Sequence, residues 1–347
     1  MTEERTAKIG FIGAGDFATS TLYPSLHLCP QIDLVAICDL DLEKAQRNAR
    51  NFGARRVYTD VDEMLDKEEL DGVFCIGSGP VQFALAPKVL TRGIPVFVEK
   101  PSTNTSAQAR ELAEIAEANN TWGQVGFMKR FAEVYSMAKD VTSRPEFGET
   151  SVVKIKFSQG PYDQMWGIDS ARRSFLVGQA CHSCDLSRFF GGEVETVFAM
   201  YHEVTPTQFS YAATVKFSSG ATGIFDWNTL AAKNFRDIDE ELEVVGLESH
   251  LICRNMLTLD WQPREDWTAV APNAGRYLHA FQPGWAGTRF TNTTYGYVGE
   301  IAHFALKCIG QAEGGPDLWD SYRALKIGEA VYDSARSGEP VTIQHAK

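Results

Sequence analysis

Lys8-Ile9-Gly10-Phe11-Ile12-Gly13-Ala14-Gly15-Asp16-Phe17-Ala18 is the stretch whose reading decides the fold. Its first half is a short, almost continuous apolar run, the pattern of a parallel strand buried on both faces. A Gly-x-Gly-x-x-Ala turn follows at once. Gly13 permits the tight turn, and Gly15 lets backbone approach a pyrophosphate. The small Ala18 lets the next helix pack close to the strand, with its N-terminus facing the phosphate charge. Ala14, Asp16 and Phe17 fill the remaining places of that cofactor-facing turn. A glycine pattern alone also fits a turn in some other α/β domain. Here a second apolar run, Leu34-Val35-Ala36-Ile37-Cys38, ends in Asp39, 21 residues after Ala18. An acidic side chain there accepts hydrogen bonds from the adenosine ribose hydroxyls and repels a 2′-phosphate. Asp41 adds a second negative charge and no Arg follows immediately, so the expected cofactor is NAD, with NADP disfavoured.

Outward from that stretch, the apolar runs Val73-Phe74-Cys75-Ile76 and Val96-Phe97-Val98 alternate with helical patterns. Asp41 opens a segment with Leu42, Ala45, Ala49 and Phe52 on one face, ended by Gly53. Asp60 with Glu63 reads as a capping box, and Thr105 starts a helix through Leu112 and Ala116. Strands alternating with helices over short connections imply βαβ units and a parallel sheet. Near residue 150 the pattern changes. Residues 151–157, 211–217 and 221–225 alternate as strands of a sheet with one covered face, the last two flanking Ser218-Ser219-Gly220. Residues 241–245 and 250–253 add two strands, and helices are expected at about 299–309 and 317–334. The expected fold is an α/β Rossmann dinucleotide-binding domain over 1–125. An α+β domain over 126–347 with a large open, mostly antiparallel sheet follows, its closing helix free to pack back on the first domain.

Composition narrows the function classes. The chain has 347 residues, which gives a prior of about two domains. Its 33 Lys plus Arg against 45 Asp plus Glu leave a net charge of −12, which disfavours a nucleic-acid or anionic-membrane partner. No apolar run is long enough to span a bilayer, and Met1-Thr2-Glu3-Glu4-Arg5 lacks the apolar core of a signal peptide. Seven Cys without small-scaffold spacing argue against a disulfide framework. A soluble, cytoplasmic protein is expected.

The third strand-end signal is Glu99-Lys100-Pro101, directly after Val96-Phe97-Val98. With the fingerprint, the acidic strand end, the following helix and sheet domain, and the closing stretch 330–341, it makes the chain resemble the Gfo/Idh/MocA oxidoreductases, the glucose–fructose oxidoreductase and inositol dehydrogenase family. The resemblance covers nearly the full length. It implies that Lys100 hydrogen-bonds the substrate hydroxyl being oxidised and that Glu99 contacts the cofactor region. Ser78, just past the run 73–76, is placed with the cofactor-binding residues. Independently of the family, ligands of open α/β sheets bind beyond the carboxyl ends of the strands, where Lys100 lies. A Lys near a nicotinamide can share or lose its proton, because burial and the positive ring disfavour its charge.

A second constellation is Gly178-Gln179-Ala180-Cys181-His182-Ser183-Cys184-Asp185. It is similar to the family pattern Asp-x-x-x-His-x-x-Asp at a helix start. His182 and Asp185 match its last two members and lie on one helical face. His182 is the expected acceptor of the alcohol proton, and Asp185 is expected to orient the imidazole or bind a sugar hydroxyl. Gly178 stands where the family has its first Asp, and the lead-in Arg172-Arg173-Ser174-Phe175 is also altered. Cys181 and His182 are adjacent and point about 100° apart on a helix, so no metal site is expected there. Cys181 and Cys184 read as small buried hydrophobes.

In Gly126-Phe127-Met128-Lys129-Arg130-Phe131 the resemblance makes Arg130 a substrate contact, against the plain reading of a basic helix start. Trp166 falls in the family's pocket segment, whereas Trp227, Trp261, Trp267, Trp285 and Trp319 read as core or interface residues. The leading expectation is an NAD-dependent oxidoreductase acting on a secondary hydroxyl of a sugar, cyclitol or glycoside, with the Lys100 amine and the His182 imidazole converging near the nicotinamide. The alternatives are an NAD-using glycosidase or lyase acting through transient oxidation, and a non-catalytic NAD- or sugar-sensing binder. The resemblance also implies a homodimer or homotetramer.

Overall fold

Buried runs of Val, Ile and Phe in the N-terminal third pair side by side as strands, as their two-sided burial requires. The computed structural model describes residues 5–232, 239–262, 279–280 and 292–344. These divide into two units, one within 1–131 and 286–322, the other within 132–285 and 323–347. Trp267 and Trp285 lie outside the described residues.

The first unit holds a six-stranded parallel sheet: β1 (Ala7–Ile12), β2 (Ile32–Cys38), β3 (Arg56–Tyr58), β4 (Gly72–Cys75), β5 (Val96–Val98) and β6 (Gly123–Val125). Their order is β3-β2-β1-β4-β5-β6, the doubly wound arrangement whose reversal between β1 and β4 opens a crevice at the carboxyl ends. Local chemistry sets the helix starts. Asp41 accepts from Glu43 and Lys44 N–H, both at 3.1 Å, and Gly53 ends that helix in a left-handed conformation at φ 84°. Asp60 accepts from Glu63 N–H at 2.8 Å, and Thr105 from Gln108 N–H at 3.3 Å. Each such cap is worth about 1 kcal/mol. The core is a column of rings. Phe11 stacks on Phe74 at 5.4 Å and Phe74 lies 4.7 Å from Phe97. Phe304, from the late helix Tyr297–Cys308, closes on Phe74 edge-on at 4.9 Å. Ile301 and Ala305 of that helix join the same cluster, so a segment remote in sequence completes the first core.

Among the described residues the second unit carries nine strands in the order β14-β13-β12-β11-β7-β10-β9-β8-β15. They are β7 (Val152–Ser158), β8 (Val194–Thr205), β9 (Gln208–Phe217), β10 (Thr222–Asn228), β11 (Asp239–Gly246), β12 (Ser249–Arg254), β13 (Thr258–Gln262), β14 (His279–Ala280) and β15 (Val341–Thr342). All neighbours pair antiparallel except β7 and β10. In β9 every second residue from Phe209 to Phe217 is buried, the period-2 signature of a sheet with one covered face. Gly220 turns β9 into β10 at φ 91°. Trp227 and Trp261 are sealed in this unit's core, as the plain reading of those residues holds. Helices Ala171–Gly178 and Ala180–Gly191 bring their apolar faces to this unit, Phe175 meeting Phe157, Tyr162 and Phe209.

Candidate active site

The nucleotide loop is held from three sides. Gly13 sits at φ 106°, and a side chain there would collide with the Ile76 carbonyl. The Tyr23 hydroxyl donates to the Gly13 carbonyl at 3.1 Å, and the Thr19 hydroxyl donates to the Ala14 carbonyl at 3.2 Å. Asp39 accepts from Ala14 N–H at 2.6 Å and from Asp41 N–H at 2.8 Å. The carboxylate expected to bind ribose thus also ties the second strand end to the fingerprint, one lone pair of each oxygen remaining for a ligand. Beyond the loop the helix widens over Ala18–Leu22, where Tyr23 N–H reaches back to the Ala18 carbonyl. Pro24 follows and has no N–H for the regular ladder, which the wider turn accommodates. At Gly15 an added Cβ would meet nothing within 4 Å, leaving open the space that a pyrophosphate needs beside the helix start. Asp16 and Phe17 are exposed on the same turn, and Ser78 is half-buried as the residue before helix Gly79–Leu90. These residues fit an NAD dinucleotide.

At the end of β5, Glu99 is buried and Lys100 half-buried, with a cis bond to Pro101. Gln82, wholly buried, clamps this corner. Its Oε1 accepts from Glu99 N–H at 2.7 Å, and its Nε2 donates to the Glu99 and Pro101 carbonyls at 2.8 and 2.9 Å. Lys100 N–H donates to the Glu99 carboxylate at 3.0 Å. A Cβ at Gly126 would lie 2.7 Å from the Glu99 carboxyl carbon, so any side chain there would displace that carboxyl. Burial pushes the Glu99 carboxyl up to about 7, opposed by the Lys100 charge. Glu300, in helix Tyr297–Cys308, is buried with both carboxyl oxygens lacking a hydrogen-bond partner among the described residues. Burial, then the Glu99 charge, push its pKa well above the usual carboxylate range, with Lys100 again opposing. One lysine therefore faces two buried carboxyls. Arg130, expected at the substrate, is engaged with Asp320 at 3.2 Å in this unit.

In the second unit, helix Ala171–Gly178 breaks at Gln179 (φ −120°, ψ −52°), and helix Ala180–Gly191 begins one residue later. His182 and Asp185 are both buried on it. Asp185 pairs with Arg188, one turn on, at 3.9 Å, and Arg188 also holds Glu193 at 2.6 Å. Cys181 and Cys184 are buried, and burial drives the Cys184 thiol well up. Against Gly178 lie two aromatic side chains. A Cβ added there would stand 2.5 Å from the Tyr162 hydroxyl and 2.6 Å from the Trp166 ring.

Two family descriptions match most of the chain. "Oxidoreductase family, NAD-binding Rossmann fold" matches residues 7–127, and "GFO/IDH/MocA C-terminal domain" matches 135–252. The chain belongs to the Gfo/Idh/MocA oxidoreductase family. An inositol 2-dehydrogenase of Acidothermus cellulolyticus is 29% identical, over 98% of this chain and 96% of that protein. A dehydrogenase structure from Chromobacterium violaceum superposes with a TM-score of 0.85 at 27% identity, covering 96% of this chain and 97% of the other. A levoglucosan dehydrogenase, solved with NADH and levoglucosan, shares the fold at a TM-score of 0.81 and 18% identity, over 98% of this chain and all of that one. As a Gfo/Idh/MocA member, the chain is an NAD-binding oxidoreductase.

Three groups escaped sequence reasoning. Gln82 and Glu300 each interrupt an otherwise apolar helical stretch, as the lone polar residue within 80–86 and within 297–302. That interruption is a usable signal, because buried polar groups need a reason. Tyr162 carries no such mark, since its place against Gly178 depends on a loop path that no periodicity encodes.

Proposed function

We propose that this protein is an NAD-dependent dehydrogenase that oxidises a secondary hydroxyl of a cyclitol, sugar or glycoside to a ketone. The observation that carries the reading is the Glu99–Lys100 corner at the carboxyl end of β5, clamped by Gln82 and backed by buried carboxyls. A Lys whose backbone is held at that end of a doubly wound sheet lies where a ligand is met. Kinship with proteins named inositol 2-dehydrogenase points to the substrate class. Bound NAD would supply the hydride acceptor at its nicotinamide ring.

The chain's own residues would do the rest. The nucleotide loop 13–17 with Asp39, Ser78 and Glu99 holds the cofactor side. Lys100 donates a hydrogen bond to the reacting hydroxyl oxygen and stabilises the charge that grows there. His182 takes the hydroxyl proton while the carbinol hydrogen departs with its electron pair, leaving a ketone. Trp166 and Arg130 contact the substrate, Arg130 only in exchange for part of its pairing with Asp320. Asp185, which lies 3.9 Å from Arg188, orients the imidazole or binds a sugar hydroxyl.

Solution assembly belongs to the same reading. Met200 on β8 and Ile224 on β10 are 61% and 44% exposed on the uncovered side of their sheet. Such apolar exposure supports a homodimer or homotetramer through that face. No helix among the described residues is long and apolar enough to cross a membrane. Screening cyclitols and sugars for NADH absorbance tests the function. The expected result is turnover with at least one polyol, lost in Lys100→Met with NAD binding retained. Sugar release without net NADH would favour the glycosidase reading, and no polyol response at all would overturn both.

A further inference from the structure

Gly178 occupies the position where the family resemblance expects an aspartate, and the fold has filled the space with something else. The Tyr162 hydroxyl and the Trp166 ring stand 2.5 and 2.6 Å from where a Cβ would be, so this turn tolerates only glycine while they keep their places. We propose that Tyr162 and Trp166 form an uncharged substrate-recognition subsite in place of that aspartate, reading one ligand oxygen through a phenol and a C–H face through an indole. The proposal rests on the dehydrogenase reading above.

The placement is built in. Trp166 has a left-handed backbone at φ 55°, followed by Gly167 at φ 74°. A bulky residue in that region is strained, and such strain persists only where surrounding structure enforces it. Here the enforcement is visible: Met165 N–H donates to the Ser174 hydroxyl at 3.0 Å, and Ser174 returns a bond to the Met165 carbonyl at 3.4 Å. Tyr162 N–H donates to the Thr207 carbonyl at 3.0 Å, and its ring packs edge-on to Phe175 at 5.6 Å. Both rings remain half-buried, unlike the sealed Trp227 and Trp261. Burial raises the phenol's pKa, so Tyr162 keeps its proton across the neutral range.

That chemistry differs from an aspartate's in a testable way. A carboxylate only accepts hydrogen bonds, so it selects a free hydroxyl. A phenol also donates, so it serves an ether or O-methyl oxygen equally well. The ligand class is a cyclic polyol or glycoside that offers Trp166 a C–H face and Tyr162 an oxygen with or without its hydrogen.

The experiment compares wild type, Tyr162→Phe and Trp166→Ala on a cyclitol or sugar and its O-methyl ethers. It measures KM and kcat, together with polyol-dependent thermal shifts of the NAD-saturated protein. The expected result is wild-type acceptance of at least one O-methyl ether. Tyr162→Phe should raise KM about tenfold, the size of one lost hydrogen bond, with kcat and NAD affinity little changed. Trp166→Ala should raise KM at least as much. If wild type is active but Tyr162→Phe leaves KM unaltered, the subsite is overturned and the dehydrogenase reading stands. If wild type binds NAD yet neither turns over nor is stabilised by any polyol, the dehydrogenase reading fails and takes the subsite with it.

Discussion

Gln82 and Glu99 close a two-way ring, the side-chain amide of one accepting from the other's N–H at 2.7 Å and donating to its carbonyl at 2.8 Å. Seventeen residues apart and on different elements, they fix the strand end on which Lys100 rides. Replacing Gln82 by Leu would leave a buried N–H and two carbonyls without their partner. The expected loss is about 1–3 kcal/mol per stranded group, measured as a lowered urea midpoint. Lys100 would also lose its register, so kcat should fall more than NAD affinity does. Unchanged kcat in a folded Gln82→Leu protein would separate this clamp from catalysis.

Asp39 ties the fingerprint to the second strand end and, on the proposed reading, also meets the ribose, and its substitution should show both. Changing it to Ala removes the acceptor of Ala14 and Asp41 N–H, loosening the nucleotide loop, and removes the charge that on the proposed reading excludes a 2′-phosphate. NAD affinity should drop on the order of tenfold to a hundredfold, as two charge-assisted hydrogen bonds are lost, while NADP affinity falls less, so the ratio between the two narrows. Equilibrium titration of protein fluorescence with each nucleotide reads both. An unchanged ratio would leave Asp39 with the loop-holding task alone.

Much of this molecule was legible in its residues for physical reasons. The fingerprint, Asp39 and the three caps at Asp41, Asp60 and Thr105 are local chemistry, fixed by side chains within a short stretch of chain. The parallel sheet followed from continuous apolar runs alternating with helices, whereas its strand order did not. Contacts of high sequence separation were not legible. Phe304 completing the column of Phe11, Phe74 and Phe97 depends on a return of the chain that no local pattern announces. The same holds for Glu300 beside Glu99, and for Tyr162 against Gly178. At Arg130 the motif pointed to a substrate contact, whereas its ion pair with Asp320 comes from far along the chain.

Gly178→Ala probes the crowded turn by a single methyl. The added Cβ must displace the Tyr162 hydroxyl or the Trp166 ring, both of them half-buried rather than sealed. Overpacking of this kind costs about 1–3 kcal/mol in a rigid core, and half-buried side chains should bring it to the low end. A melting-temperature loss of a few degrees is expected, with substrate KM rising several-fold and NAD affinity unmoved. A KM equal to wild type would mean that the loop relaxes without consequence for substrate.

The buried carboxyls should leave a mark on stability against pH. Glu99 faces Lys100 and Glu300, Glu300 faces Glu99 and Lys100, and the Tyr297 hydroxyl feels both acids. Glu99 titrates at about 7 when folded against an ordinary value of 4.5, so the folded chain holds a proton that the unfolded chain has released between those limits. Stability from this group is complete below pH 4.5 and is lost as pH rises to about 7. Glu300 shifts in the same direction, and the two carboxyls titrate as a pair. Asp62 acts oppositely: its hydrogen bond to Lys88 holds it below the usual range, so its contribution disappears only at pH values under about 4. The windows therefore separate. Between about pH 5 and 7.5 the Glu99 share of the stability loss should be on the order of 2 kcal/mol, and Glu99→Gln should make the slope shallower, leaving the part that belongs to Glu300. Denaturant midpoints at intervals across this range make the comparison. Parallel slopes in the two proteins would mean that Glu99 is already ionised in the folded chain, with Lys100 outweighing burial.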